Sequence, residues 1–132
     1  GASGELKKKA ETLKIENDVT FVTNAAPAHP YLAAFDIFIL PSLASGSPYA
    51  LLEAALAKLP VIATDVGGHT DIIQHGKTGF LVPAGNTGKI AAGIERLIAD
   101  PHLTEGLGLQ LRAHVIKNFA LSESLAKTFT LY

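Results

Sequence analysis

The residues best suited to chemistry lie together in PSLASGSPYALLEA, residues 41–54. An apolar run ends at Pro41, small residues follow, and a helix-forming run begins at Pro48. Ser47 has the side chain of an N-cap. Pro48 suits the first helical position, where its missing N–H costs nothing. The first-turn amides of Tyr49 and Ala50 then point out of the helix start. With the helix dipole behind them they favour an anion, by ~0.3–1 kcal/mol from the dipole at exposed sites. Ala44 to Ser47 are small enough to let a ligand approach the backbone. Glu53 stands about one turn further in. Its i±3 and i±4 neighbours are Tyr49, Ala50, Leu56 and Ala57, none of them basic. A carboxylate so placed can accept hydrogen bonds from hydroxyls such as a ribose diol. The residue types alone also fit a plain solvent-facing Glu53.

Other chemistry-bearing residues are less organised. No two of His29, His69, His75, His102 and His114 stand at i, i+4 with a nearby acid, so no zinc helix is indicated and no metal site is expected. His69 directly follows Gly67 and Gly68, at an expected helix start. It is a candidate ligand contact, although a plain helix-start residue is the simpler reading. Asp71 suits the first turn of that helix. HGKT, residues 75–78, ends like a phosphate-binding loop, but that motif needs glycine where Asp71 stands, and it follows a strand rather than preceding one. Asp65 ends a strand as a phosphoacceptor would. The turn after Val22 reads Thr23-Asn24-Ala25-Ala26, without the acidic pair such a domain requires.

These residues need a scaffold, and the apolar pattern supplies one. Val19–Val22, Ile37–Leu40, Val61–Thr64 and Phe80–Val82 read as buried strands bounded by turn residues. Between and after them run helical patterns: Leu6, Ala10 and Leu13; Leu52, Leu56 and Leu59; Ile90, Ile94, Leu97 and Ile98 after an Asn86 N-cap; then 103–118 and 122–131. Alternation of apolar strands with helices predicts a doubly wound α/β fold, a Rossmann-like parallel sheet of about four strands covered on both faces. With 132 residues the chain can bury roughly two-thirds of its unfolded surface without a disulfide or metal staple. Eleven basic and twelve acidic residues give no footing for nucleic acid or an anionic membrane. No apolar run approaches a membrane span and no signal peptide is visible, so a cytoplasmic setting is expected. The chain has no methionine and opens on a glycine-rich turn leading straight into a helix, as though cut just after a strand.

Several motifs in fixed order carry a resemblance. FDIFILPSLASGSPYALLEAALAKLPVIATDVGG resembles the donor-binding core of retaining glycosyltransferases of the GT-B fold, the group 1 family. The family pattern there is a strand ending in Pro-Ser, two glutamates eight apart with glycine after the first, then Leu-Pro-Val-Ile-Ala-Thr-Asp and Gly-Gly. GKTGFLVPAGN is similar to the family's next turn, strand and loop, and DPHLTEGLG to its terminal helices. The likeness runs from Gly4 to Tyr132.

The resemblance implies a nucleotide-sugar-binding, carboxy-terminal domain spanning 1–132, incomplete at its amino-terminal side and separated from an acceptor domain. Two further strands and the Arg and Lys that grip the diphosphate are expected to be missing. Glu53 would hold the ribose hydroxyls. Backbone donors from Gly46, Ser47, Pro48, Tyr49, Ala50 and Leu51 would face sugar and diphosphate, with Pro48 contributing only its carbonyl. Thr23 and Asn24 would bracket the base, and Gly67, Gly68 and His69 would line the cleft. The family requires no bound metal or cofactor. Its substrate is a nucleoside diphosphate sugar of UDP or GDP type, and the full enzyme can be peripheral to the inner membrane. Ser45 departs from the pattern, for it occupies the first glutamate position. Its hydroxyl can bond a sugar but brings no negative charge to a developing oxocarbenium ion. The absent strands would leave a gap, closed either by Val19–Val22 pairing directly with Ile37–Leu40 or by self-association through strand edges. The rival expectation is a non-catalytic fragment or assembly module with no tight ligand.

Overall fold

The computed structural model describes residues 2–21, Leu32, 34–44 and 48–118. Its elements are α1 (Ala2–Thr12), a 3₁₀ turn (Glu16–Asp18), β1 (Phe38–Leu40), α2 (Pro48–Leu56), β2 (Val61–Thr64), β3 (Phe80–Val82), α3 (Thr87–Ala99) and α4 (Pro101–Asn118). The three strands form one parallel sheet in the order β1-β2-β3. Phe38 pairs with Val61, and Ile62 with Phe80.

Strand alternation divides the core into two. Phe38, Leu40, Val61, Ala63 and Leu81 join Leu51, Leu52, Ala55, Leu111 and Val115 on one face. Ile39, Ile62, Phe80 and Val82 join Ile90, Ile94, Leu97 and Leu107 on the other. Helix α2 therefore covers one face and α3 the opposite one. Helix α4 serves both, giving Leu107 to one core and Leu111 to the other. All four residues of β2 are buried, as expected of a central parallel strand covered on both sides. The α/β, doubly wound expectation is met.

Helix ends follow their local chemistry. Asn86 Oδ1 accepts the Lys89 N–H at 3.0 Å, capping α3 as expected. Asp100 Oδ1 accepts the Leu103 N–H at 3.0 Å and starts α4. Helix α2 ends on Lys58 in the left-handed region at φ 64°. There the Leu59 N–H reaches the Ala54 carbonyl at 3.1 Å and the Lys58 N–H reaches Ala55 at 3.0 Å.

One expectation is corrected here. Val19–Phe21 form no strand and do not pair with β1, while Val22 lies outside the described residues. A short apolar run becomes a strand only when a neighbour takes its N–H and C=O groups. Among the described residues no strand flanks β1 on the side away from β2. The helical pattern of Leu6, Ala10 and Leu13 is met by α1, in which Ala10 is buried and Leu6 exposed, with Leu13 exposed just past its end. The expected helix at 122–131 lies outside the described residues.

The other sheet edge is closed locally. Leu81 donates its N–H to His75 Nδ1 at 3.0 Å, and Gly76 donates to the Gly79 carbonyl at 2.8 Å. The turn before β3 thus occupies backbone groups that a second chain would need for pairing.

Candidate functional site

In an open parallel sheet ligands bind beyond the carboxyl ends of the strands. Here two segments leave those ends side by side: residues 41–44 after β1, leading towards α2, and residues 65–68 after β2. A buried threonine joins them. Thr64, the last residue of β2, donates its hydroxyl to the Ser42 carbonyl at 2.6 Å. The loop after β1 is therefore tied to the central strand.

That turn is tight. Gly68 sits at φ 94°, a conformation that side-chain-bearing residues rarely adopt. Gly67 is exposed and Gly68 half-buried. His69 accounts for the turn's shape. Its ring is fully buried and its Nδ1 lies 2.8 Å from the Thr64 carbonyl. Since a carbonyl only accepts, Nδ1 carries the hydrogen. The His69 Nε2 is buried and has no hydrogen-bond partner among the described residues. His69 was expected at a helix start in the cleft. The structure instead buries it, in a run of turns with Ile72 and Ile73 donating back to its carbonyl at 3.1 and 2.9 Å. Asp71 is exposed in the same run.

Helix α2 follows the loop after β1. It starts at Pro48, so the amides of its first turn are directed out of its amino-terminal end. Leu51 is fully buried and fixes the helix against the sheet. Glu53 is half-buried, one turn in from that end. The sequence offered it no basic neighbour at helical spacing, yet Glu53 and Tyr49 both have interaction partners in the folded chain. Leu43 and Tyr49 stand on either side of residues 45–47 with 77% and 61% of their surfaces exposed. Ser45, Gly46, Ser47, Thr23 and Asn24 lie outside the described residues.

Chain order and parallel pairing thus put the start of α2 and Gly67–Gly68 at the same, carboxyl end of the sheet. Sequence reasoning missed Thr64 and Leu43. Thr64 could have been noticed as the one polar residue in VIAT, since a hydroxyl closing a fully buried strand needs an acceptor. Leu43 offered a weaker signal, an apolar residue in a loop of small polar ones.

A parallel sheet with helices on both faces defines a Rossmann-like α/β class of domain. Comparison with known proteins narrows the class. Residues 1–100 match the family model described as glycosyl transferases group 1, and the chain belongs to that family. It is 32% identical over 122 residues to N-acetyl-alpha-D-glucosaminyl L-malate synthase of Bacillus anthracis, covering 92% of this chain and 32% of that protein. It is 30% identical over 133 residues to a GDP-mannose-dependent mannosyltransferase of Mycobacterium tuberculosis, covering 92% of this chain and 34% of that protein. Anabaena HepE in complex with UDP-glucose superposes with a TM-score of 0.84 at 27% identity, over 98% of this chain and 37% of that one. The carboxy-terminal domain of the group 1 protein LpcC from Francisella tularensis gives 0.79 at 25% identity, over 89% and 62%. The chain spans about a third of the length of the curated relatives it matches.

Proposed function

We propose that this chain forms most of the donor-binding domain of a retaining glycosyltransferase and holds a nucleoside diphosphate sugar at the carboxyl edge of its sheet. One observation supports the reading: the start of α2 and the Gly67–Gly68 turn follow the carboxyl ends of neighbouring parallel strands, in a fold shared with a UDP-glucose complex. Glu53 accepts hydrogen bonds from the ribose hydroxyls. The amides from Gly46 to Leu51, Pro48 excepted, face the sugar and diphosphate, where the helix dipole favours negative charge. Ser45 stands at the transferred sugar, and Thr23 and Asn24 bracket the base. The acceptor hydroxyl forms its bond to the anomeric carbon as the bond to the diphosphate breaks. The diphosphate leaves with the electron pair, and the acceptor's proton is lost to a base or to the leaving group. The domain's part is to position the donor and stabilise the leaving charge, not to supply a nucleophile. Turnover needs the acceptor domain, so the chain alone binds donor without transferring it.

Calorimetric titration with UDP, UDP-glucose and GDP-mannose tests this. Saturable binding by one nucleotide series, weakened about tenfold or more (~1.4 kcal/mol) by Glu53→Ala, is expected. Absence of binding at millimolar ligand by a folded chain would leave the non-catalytic fragment as the reading.

A further inference from the structure

We propose that the cleft between β3 and α3 is a separate oxyanion site that takes a phosphate group. The cleft encloses about 310 Å³, and its lining includes His75, Phe80, Lys89, Gly93 and Arg96. Lys89, Gly93 and Arg96 stand at i, i+4 and i+7 of α3 and so share one helix face. Gly93 brings that face close to the sheet, since a Cβ there would lie 3.1 Å from Ile62 Cδ1. The Arg96 guanidinium carbon lies 5.2 Å from the centroid of the Phe80 ring, which holds it by a cation–π contact. The His75 ring lies 5.8 Å from the same ring, tilted by 50°. His75 Nδ1 accepts the Leu81 N–H, so in the neutral ring the hydrogen sits on Nε2 as a donor. Two of the three nitrogen-bearing side chains are therefore positioned by the fold before any ligand arrives.

The charge balance points the same way. No carboxylate lines the cleft, although the whole chain carries a formal charge of −1. Among the described residues no carboxylate pairs with Lys89 or Arg96. A planar guanidinium fork, an ammonium and an imidazole N–H on concave walls match the several acceptor oxygens of a phosphate. The site flanks the edge strand β3 and does not depend on the donor reading. Its phosphate could belong to a small phosphorylated metabolite or to a lipid headgroup.

The test is a nitrogen-15 NMR titration of the chain with inorganic phosphate and then pyrophosphate. Saturable shifts at the Leu81 amide and the Arg96 Nε–H are expected. Affinity should fall about tenfold or more in the Lys89→Gln/Arg96→Gln double variant, whose spectrum should otherwise remain that of a folded protein. Cosedimentation with phosphatidylglycerol vesicles, lost in the double variant, would support the site with a lipid headgroup as its source. Phosphate binding without vesicle binding would support it with a small metabolite. Absence of saturable shifts with both anions, or equal shifts in the double variant, overturns the proposal.

Discussion

Three glycines in helices should respond to alanine in three different ways, although helix propensity treats them alike. Gly→Ala in an exposed helix interior gains ~0.5–1 kcal/mol. Gly106 in α4 has nothing within 4 Å of the space a Cβ would take, so Gly106→Ala should realise that gain. Gly93 in α3 faces the end of the Ile62 side chain at 3.1 Å, which can yield, so the gain and the crowding roughly cancel. Gly108 is buried where α4 crosses the turn between α2 and β2. A Cβ there would overlap the Lys58 carbonyl oxygen and lie 3.0 Å from its carbonyl carbon. Both obstacles are backbone atoms of a turn already fixed by Lys58 at φ 64° and by the hydrogen bonds that end α2. No rotamer relieves them, so the helices must part. Overpacking costs ~1–3 kcal/mol, and this case belongs at the upper end, for a net loss of about 2 kcal/mol after the propensity gain. Gly106→Ala and Gly108→Ala should then differ by about 3 kcal/mol. Urea unfolding measures this directly, and in thermal unfolding each kcal/mol should appear as ~3–5 °C for a domain of this size. If Gly108→Ala is as stable as Gly106→Ala, the close crossing of α4 over that turn is wrong. So, then, is the account of how α2 is seated.

Other substitutions probe the site's supports. Asn86→Ala removes the α3 cap and should cost about 1 kcal/mol in chemical denaturation, with Asn86→Ser restoring most of it. Thr64→Val keeps the shape but leaves the Ser42 carbonyl without its donor. It should cost ~1–3 kcal/mol and speed amide exchange after β1 more than in β3. His69→Ala removes a fully buried ring and uncovers the Thr64 carbonyl. A loss of roughly 2–4 kcal/mol is expected, with faster amide exchange across residues 66–73.

The fold was legible where strands carry their own evidence. VIAT and GFLV are short apolar runs between turn signals, and they became β2 and β3 at the expected residues. Asn86 announced α3 because capping is a local property of side chain and backbone. Val19–Val22 looked the same on paper, yet Val19–Phe21 form no strand, because a ladder needs a second chain segment that periodicity cannot guarantee. The α1 spacing did announce a helix, but spacing shows only that one face could be buried, and Leu6 and Leu13 are exposed. At the site, Glu53 and the start of α2 were visible through the helix signals around Pro48. The Thr64 tie was not, because it joins residues 22 positions apart. His69 was located but misjudged, since its position after two glycines suggested a surface turn while its ring packs inward.

Those two buried polar groups bear on how the site is held. The Thr64 hydroxyl fastens the loop after β1, and the Thr64 carbonyl fastens the turn after β2 through His69. One residue at the end of the central strand therefore orders both segments that, on the function proposed above, face the donor ligand. Neither group needs to touch that ligand. Each replaces water as a partner for a backbone group, so the turns are shaped in advance and less ordering remains for binding to supply. This also bears on Ser45. If the loop is positioned by Thr64 rather than by a charge at the first glutamate position, serine there leaves the donor's nucleotide end undisturbed and affects only the sugar. Ser45→Glu should then change the discrimination between UDP-glucose and UDP in calorimetric titration, with the affinity for UDP itself held within about threefold (~0.7 kcal/mol). Equal shifts for UDP and UDP-glucose would mean that residue 45 shapes the whole loop, and that the division of labour argued from Thr64 is wrong.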